Sequence, residues 1–350
     1  MVKFMATALF SVCLFACTSV KKQELTTIKI DTENYKSGLF EDAKNVTKKT
    51  ITSDNDIVVG QIQYATTVGD NIYMVDLSSS SVYTIDAQTC NIDHVLSKKG
   101  NSEEEYMMIY SATIDEKTKD IYVYDMAKRM LKQYSAKGYF IKNLSFESAP
   151  YCFMMIQDDK TILADKGTAN GDGSGKFLSK LDKLTGKTTA DLGNIPELIS
   201  GINFSMPRAS LVKYNSSLSY VPFFSNIVYN VEDTTITPKY VIDFGSKWVP
   251  DSQLEKFKTD LSMFAKIMKD GYVFTYNFLE SEKWAYISFY AEDKYYGYFY
   301  SKDSGAGQLY DLTETGQPVC IDKNGNFVFV EYGEEDTYLV FVELDGAILK

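Results

Sequence analysis

Residues 119–140 read KDIYVYDMAKRMLKQYSAKGYF and contain two short β-like runs separated by a polar turn. The first run, 121–125, is rich in β-branched and aromatic residues and carries them at consecutive positions. A strand with one solvent-exposed face would alternate apolar and polar residues, whereas a strand buried on both faces need not. This unit is therefore typical of a sheet that is covered on both sides.

Six copies of this strand–turn–strand unit occur along the chain. Aligned positions in their first runs are Ile72, Ile121, Ile162, Leu218, Tyr286 and Phe327. The steps between them are 49, 41, 56, 68 and 41 residues. Repeats of about 40–50 residues are typical of propeller blades, in which each sheet is sandwiched between its neighbours. The sequence predicts an all-β fold, a six-bladed β-propeller with four-stranded blades.

Two segments depart from the repeat. Apolar residues at helical spacing predict one inserted amphipathic helix over about 251–269, packed on the edge of the fourth or fifth blade. A docking helix for a partner is the alternative. The strand-like segment 25–30 is predicted to join the C-terminal blade and close the ring, which would remove an exposed sheet edge. Deletion of 25–56 is then expected to lower stability sharply.

The N-terminus has the pattern of an export signal. Residues 4–16 are uncharged and mainly apolar and follow Lys3, a run too short to span a bilayer and typical of a signal peptide. Residues 14–17, LFAC, resemble the lipobox of bacterial lipoproteins. This resemblance implies cleavage before Cys17, acylation of Cys17 and anchoring in a lipid bilayer; a plain secreted protein is the alternative.

These observations predict the organisation of the whole chain. Residues 1–16 form a lipoprotein signal peptide, 17–27 a lipidated tether and 28–350 a single propeller domain. The chain as a whole resembles the six-bladed β-propeller lipoproteins of Bacteroidetes, which are related in form to NHL and TolB-like propellers. The resemblance covers roughly residues 25–345. It implies a cell-envelope protein, an outer-membrane lipoprotein that faces either the periplasm or the cell surface.

The resemblance is carried by the lipobox, by the blade at 121–140 and by YVIDFG at 240–245, which precedes the helix. The loop GNSEEEY at 100–106 is similar to that family's Gly-x-Gly-Pro-x-Glu-Tyr/Phe connection between blades. Its Glu105 and Tyr106 match the pattern, while the second glycine and the proline are replaced. Glu105 and Tyr106 are therefore candidate ligand-binding residues.

Charge and composition exclude several function classes. The net charge of −11 and pI near 4.8 argue against nucleic-acid binding. With His94 the single histidine, a three-histidine zinc site is excluded. No Gly-x-Ser-x-Gly elbow accompanies His94, so it is interpreted as a strand-end residue and no catalytic residue is predicted. Cys90, Cys152 and Cys320 show no metal-binding spacing and are expected to be buried; whether any of them pair is left open.

The most aromatic part of the chain lies at 284–300. Trp284, Tyr286 and Tyr290 would fall on one face of a strand, with the intervening apolar residues on the other. Packing between blades is the favoured interpretation, because both faces of a blade are normally covered. The alternative is a platform for a saccharide or protein ligand, since rings with polar tips dominate binding sites.

A glycine-rich loop, NGDGSG at 170–175, carries oxygen side chains at alternate positions. Asn170, Asp172 and Ser174 could surround a Ca²⁺ ion, as in calcium loops. Leu181 stands where such a loop would supply its bidentate glutamate. A flexible hairpin explains the same residues.

The leading functional hypothesis is a membrane-anchored, non-enzymatic propeller that binds a protein or saccharide ligand. The competing hypothesis is a metal-dependent hydrolase, similar to lactonase propellers, with carboxylates around an ion in the central channel. An ion held there by several acidic side chains would favour the enzyme. A structural component of an envelope complex is a third possibility.

Overall fold

The structure, a computed structural model, describes residues 25–53, 57–146, 151–169, 171–204, 206 and 208–349. The predicted signal peptide, 1–16, and Cys17 lie outside these residues. The described chain folds into six β-sheets, each with four strands or with four strands and a fifth added at the outer edge. It is an all-β, six-bladed propeller, as the repeat predicts.

The strands are numbered in chain order. The N-terminal part contains β1 (Thr26–Lys29), β2 (Tyr35–Lys36), the helical turn α1 (Leu39–Asp42) and β3 (Asn45–Thr50). Blade 1 contains β4 (Tyr64–Val68), β5 (Asn71–Asp76), β6 (Ser81–Asp86) and β7 (Ile92–Leu96). Blade 2 contains β8 (Ser111–Ile114), β9 (Ile121–Asp125), β10 (Met130–Tyr134) and β11 (Phe140–Ser145). Blade 3 contains β12 (Phe153–Ile156), β13 (Thr161–Asp165), β14 (Lys176–Asp182) and β15 (Thr188–Asn194).

The second half of the ring repeats this order. Blade 4 contains β16 (Leu211–Tyr214), β17 (Ser217–Tyr220), β18 (Ile227–Val231) and β19 (Ile236–Asp243). The connection to the next blade contains a 3-10 turn (Gly245–Lys247), α2 (Asp251–Phe257) and α3 (Met263–Lys269). Blade 5 contains β20 (Asn277–Glu280), β21 (Trp284–Ala291), β22 (Lys294–Ser301) and β23 (Gly307–Asp311). Blade 6 contains β24 (Cys320–Ile321), β25 (Phe327–Tyr332) and β26 (Thr337–Glu343), and a 3-10 turn (Gly346–Leu349) follows.

The second strand of each blade is the strand that the repeat located. The six aligned positions fall in β5, β9, β13, β17, β21 and β25. In β9 all five residues are buried. Ile121 and Val123 pack with residues of blade 1, whereas Tyr122 and Tyr124 pack with residues of blade 3. Burial on both faces therefore explains the consecutive apolar residues in the sequence.

Residues 25–50, here called the N-terminal strap, cross the outer edges of three blades. β1 pairs in parallel with β19 of blade 4, and β2 pairs in parallel with β23 of blade 5. β3 pairs antiparallel with β26 and supplies the fourth strand of blade 6. Hydrogen bonds between the N-terminal strap and the last blade thus close the ring, and the outer edges of blades 4 and 5 are covered as well.

The prediction that residues 25–30 close the ring is wrong in its choice of segment. This segment lies on blade 4, where Ile28 and Ile30 are buried, and its strand begins inside the predicted tether. Closure instead uses β3, whose sequence is NVTKKT and whose residues are all at least partly exposed. β3 faces solvent and its polar composition gives no hydrophobic signal, whereas the buried Ile28 and Ile30 of segment 25–30 give one.

Two short helices replace the single helix predicted over 251–269. The helix is interrupted at residues 258–262, where Oδ1 of Asp260 accepts a hydrogen bond from the N–H of Ser262 at 2.9 Å. A side chain that binds its own backbone in this way competes with helical hydrogen bonding. The buried residues of the two helices are Leu254, Phe257 and Ile267. They join the core cluster that includes blade 4, which agrees with the predicted packing on a blade edge.

Candidate functional site

A cavity of about 860 Å³ lies at the centre of the ring. Its wall contains residues from the first strand of every blade, β4, β8, β12, β16, β20 and β24. Each of these strands is innermost in its sheet and pairs only with the second strand of its own blade. The volume falls within the range of about 300–1,000 Å³ that is usual for small-molecule sites.

The cavity has two distinct ends, because the six first strands run in the same direction along the axis. We call the end where these strands begin the near end, and the end where they finish the far end. The connection that contains α2 and α3 leads into β20 and therefore lies at the near end. Phe264 and Met268 of α3 contribute to the cavity wall there.

Neutral polar side chains and aromatic rings surround the near end. Gln61 and Gln63 precede β4, and Gln317 precedes β24. Tyr290 and Tyr295 flank the turn between β21 and β22, and 47% of Tyr295 is exposed. Amides offer both donors and acceptors, and phenol rings offer an apolar face with a polar tip. The near end can therefore contact a ligand that is both polar and partly apolar.

The charged groups at the far end are paired. Glu116 and Lys213 form an ion pair at 2.8 Å. Glu280, whose side chain is 3% exposed, contacts the ammonium groups of Lys239 and Lys302, each at 2.6 Å. Burial would raise the pKa of Glu280, but the two lysines outweigh burial and hold this pKa below its ordinary value.

Arg208, at the near end, is a buried cation with a different environment. Its residue is 7% exposed and its guanidinium lies 4.3 Å from the ring centre of Phe223. Nη1 donates to the carbonyl of Tyr276 at 3.0 Å, and Nη2 donates to the carbonyl of Val221. Nε has no hydrogen-bond partner among the described residues, and neither has the buried Oγ1 of the neighbouring Thr275.

The charge of Asp165 raises the pKa of Arg208, although the two side chains do not form an ion pair. Its carboxylate accepts hydrogen bonds from the hydroxyls of Ser210 and Tyr220 at 2.6 and 2.9 Å and from the N–H of Gly167 at 2.8 Å. Within the described chain, no carboxylate lies within 4.0 Å of the Arg208 guanidinium. Burial raises the pKa of Asp165, against the effect of these hydrogen bonds, and burial lowers the pKa of Arg208, against the effect of Asp165.

The described residues include no group of three or more His, Cys, Asp or Glu side chains that could hold a metal ion. The carboxylates in the described cavity wall are Glu116 and Glu280, and both are engaged by lysines. The cluster of acidic side chains that the hydrolase hypothesis requires around an axial ion is therefore not formed by this part of the chain.

Residues 29–347 match the model of a protein family that is described as a domain of unknown function (DUF4934). The chain belongs to this family. No sequence among the curated proteins matches the chain.

Solved structures share the fold of this DUF4934 member. A Bacteroides fragilis NCTC 9343 protein that is described as exported is 15% identical and has a TM-score of 0.77, with 92% of this chain and 99% of that chain covered. A DUF4221 family member from Bacteroides vulgatus ATCC 8482 is 11% identical, with a TM-score of 0.55 and coverage of 86% and 96%. In the described part of the chain, no helix is long and apolar enough to cross a membrane.

Of the three predicted aromatic candidates, two are buried between blades. Trp284 and Tyr286, 5% and 0% exposed, belong to the cluster between blades 5 and 6. Tyr286 also contributes to the cavity wall, together with the half-buried Tyr290, whose hydroxyl donates to Asp293 at 3.0 Å. Ala285 and the other intervening residues pack on the opposite side, between blades 4 and 5. The predicted division of β21 into two faces thus matches the structure, and Tyr290 is the candidate nearest to solvent.

Glu105 and Tyr106 lie in the connection between blades 1 and 2 and do not contribute to the described cavity wall. Tyr106 is fully buried, and its hydroxyl bonds to backbone groups of Ser80 and Leu96. Oε2 of Glu105 accepts the N–H of Ser102 at 3.0 Å. These contacts hold the loop in shape, and the predicted ligand role of the two residues stays a prediction.

Of the predicted calcium ligands, Asn170 lies outside the described residues. Asp172 and Ser174 both contact the ammonium group of Lys166, Asp172 as an ion pair and Ser174 through its hydroxyl. An ammonium group in this position competes electrostatically with a cation. Calcium binding stays a prediction that titration calorimetry can test.

The histidine and cysteines occupy sheltered positions. His94 lies in the outer strand β7, and burial, followed by the charge of Lys98, lowers its pKa. Cys90, Cys152 and Cys320 are buried, as expected. Burial raises the pKa of the Cys90 thiol to about 11 and that of the Cys320 thiol to about 12, so both thiols are protonated at neutral pH.

Sequence reasoning missed Arg208 and Thr275. Neither belongs to a strand, so neither takes part in the pattern that located the blades. One signal was available: the chain has only two arginines, Arg129 and Arg208, among 36 basic residues. Arginine is preferred over lysine for planar, bidentate contacts, so an arginine in a lysine-rich chain was a reason to look closely at this position.

Proposed function

We propose that this protein is a lipid-anchored binding protein of the cell envelope that takes a saccharide into its axial cavity. The observation that carries the proposal is the cavity itself, about 860 Å³ in volume and walled by all six blades. A rigid ring of sheets can hold ligand-binding side chains in fixed positions while the connections between strands vary. A folded protein domain is too large for this space, which favours a small ligand or the end of a chain.

The chemistry of the near end supports a saccharide. The amide oxygens of Gln63 and Gln317 already accept hydrogen bonds from the protein, but their NH₂ groups, and the amide of Gln61, can bond to sugar hydroxyls. The rings of Tyr290 and Tyr295 can cover the apolar C–H faces of a sugar. Saccharides combine many hydroxyls with apolar C–H faces. The cavity wall thus offers the mixture of contacts that a saccharide needs.

Location in the cell envelope rests on two independent observations. The sequence LFAC at 14–17 resembles a lipobox, and the B. fragilis protein with the same fold is described as exported. Two acyl chains on Cys17 would anchor the propeller stably, because each buried CH₂ contributes about 0.8 kcal/mol. The wider resemblance to NHL and TolB-like propeller lipoproteins supports the same location, in the outer membrane.

The cavity is tested with the full-length protein in detergent and a panel of neutral mono- and oligosaccharides. We expect at least one saccharide to raise the melting temperature in a concentration-dependent way, because a ligand that binds only the folded state stabilises it. Met155→Trp, which adds bulk to the half-buried cavity wall, should weaken this shift. Leu184→Trp, at a position 75% exposed and outside the described cavity wall, is the matched control and should leave it unchanged.

A panel that gives no shift, or a shift that Met155→Trp and Leu184→Trp reduce equally, would contradict the proposed saccharide site. Anchoring is tested separately by labelling cells with a radioactive fatty acid. The wild type should incorporate label and fractionate with membranes, whereas Cys17→Ser should do neither. Label that persists in Cys17→Ser would mean that the acylated residue is a different one.

A further inference from the structure

Arg208 and Thr275 both line the near end of the axial cavity. Nε of Arg208 and Oγ1 of Thr275 are both buried, and neither has a hydrogen-bond partner in the part of the chain that the structure describes. The hydrogen bond from Arg208 to the carbonyl of Tyr276 holds the guanidinium beside the segment that carries Thr275. A buried donor left unpaired destabilises a fold by about 1–3 kcal/mol, and more when it is charged. A ligand bound in the adjacent cavity can supply the missing partner.

The charge of Arg208 lacks a contacting counterion. The backbone carbonyls of Tyr276 and Val221 and the ring of Phe223 solvate the guanidinium without neutralising it. Asp165 acts on it from beyond 4.0 Å, with its own oxygens already bonded to other groups. A desolvated cation of this kind attracts an anion strongly, since the surrounding dielectric is low.

The rest of the described cavity wall provides no competing site for an anion. The lysine in that wall, Lys213, is paired with Glu116, and Glu280 at the far end is itself an anion. An anionic ligand would therefore be oriented with its charged group beside Arg208 and away from Glu280, and with its uncharged part against the glutamines and tyrosines that surround the same end. The charge distribution of the cavity thus distinguishes one end of a ligand from the other.

We propose that Arg208 and Thr275 form a subsite for an anionic group, and that the saccharide bound in the cavity is an acidic one. The inference rests on the proposed function and specifies its ligand. Nε–H of Arg208 can donate a charge-assisted hydrogen bond to an oxygen of the anionic group, while Nη1 and Nη2 stay bonded to backbone carbonyls. Oγ1 of Thr275 can donate a further hydrogen bond to such an oxygen. Uronate carboxylates and sulfate esters share this chemistry.

The test measures binding of three matched sugars to the full-length protein in detergent by titration calorimetry: glucuronate, glucose 6-sulfate and glucose. We expect an acidic sugar to bind at least about tenfold more tightly than glucose, which corresponds to about 1.4 kcal/mol. Arg208→Lys keeps the charge but loses the planar donors, and it should remove most of this preference. Thr275→Val should weaken binding of the acidic sugar about threefold to tenfold and leave glucose unaffected.

Arg129→Lys is the matched control, because it makes the same change in the other arginine, which is exposed in a turn. It should keep the preference for acidic sugars. Thr275→Val removes a hydroxyl without a partner in the described chain, so it tests the subsite even if Arg208→Lys does not fold. Preference for glucuronate alone would assign a carboxylate subsite, and equal preference for glucose 6-sulfate a general anion subsite.

Equal affinity for all three sugars would overturn the anionic subsite and leave the proposed saccharide function standing. Binding of none of them, with no response from the neutral saccharide panel, would overturn both. A preference for acidic sugars that Arg208→Lys and Thr275→Val leave unchanged would place the anion elsewhere and would also overturn this assignment.

Discussion

Two buried charged groups, one at each end of the axial cavity, have opposite environments. At the far end, the Glu280 carboxylate receives the ammonium groups of Lys239 and Lys302 and the hydroxyls of Ser219 and Tyr240. At the near end, the guanidinium of Arg208 contacts carbonyls and a ring, and its Nε has no partner among the described residues.

The difference separates two uses of a buried charge. A buried ion with every hydrogen-bonding position filled by the protein joins the elements that supply the partners, in this case blades 4 and 5. A buried ion with an open position has the capacity to bind something else. The far end therefore has the features of a structural junction, and the near end has those of a binding site.

The largest effect is expected from Glu280→Gln. This change leaves Lys239 and Lys302 charged and without their carboxylate in a largely desolvated place, so the free energy of unfolding should fall by about 3 kcal/mol. Equilibrium unfolding in guanidinium chloride measures it. Glu331→Gln is the matched control, because Glu331 pairs with Lys48 at 2.6 Å on the surface, where both side chains are over 40% exposed.

The control should lose less than about 1 kcal/mol, as exposed ion pairs do. A loss in Glu280→Gln as small as that in Glu331→Gln would show that the far-end cluster does not stabilise the fold. The contrast between the two ends would then disappear.

The pH dependence of stability should have opposite signs for the two buried carboxylates. The pKa of Glu280 is below its ordinary value, so its contribution is present above about pH 4.3 and is lost as the pH falls through the lowered pKa. The pKa of Asp165 is raised, so the folded state takes up its proton more readily than the unfolded state does. The stabilising effect of that proton increases as the pH falls.

Unfolding measured between pH 7 and pH 3 tests both signs. On acidification, the stability of the wild type relative to Glu280→Gln should decrease. The stability of the wild type relative to Asp165→Asn should increase. The variants serve as controls for each other, because every other titrating group is common to both. Two differences that change in the same direction would contradict the assigned environments.

The ring was predictable from sequence because its second strands are sheltered on both faces. Burial of Tyr122 and Val123 on opposite sides of β9 favours consecutive apolar residues. Such runs recur in the second strands of the other blades except blade 4, where β17 reads SLSY. The same reasoning divided the faces of β21 correctly. Where solvent covers a strand, as in β3, the residues are polar and the pattern disappears. For this reason the sequence favours the more apolar segment 25–30 for closure.

The candidate site was not predictable by the same means. Arg208 and Thr275 lie in irregular connections that precede the first strands, where no periodicity identifies a buried side chain. Their proximity depends on the ring, since the hydrogen bond from Arg208 to Tyr276 joins residues 68 positions apart. Hydrophobic patterns locate the elements that form a core, but an unpartnered polar atom becomes visible only when the distances around it are known.

The smallest predicted effect separates two threonines of the cavity wall that differ in hydrogen bonding. Oγ1 of Thr113 accepts the N–H of Ile156 at 3.2 Å, whereas the buried Oγ1 of Thr275 has no partner among the described residues. Thr113→Val should lower the free energy of unfolding by about 1–2 kcal/mol, because the amide of Ile156 loses its acceptor. Thr275→Val, the same change of hydroxyl to methyl, should be neutral or stabilise the ligand-free protein by up to about 1 kcal/mol. Equal losses in the two variants, measured by denaturant unfolding, would mean that the hydroxyl of Thr275 is satisfied within the fold. This hydroxyl would then have no hydrogen bond left for a ligand. The near end would resemble the far end, where the protein itself fills the hydrogen-bonding positions.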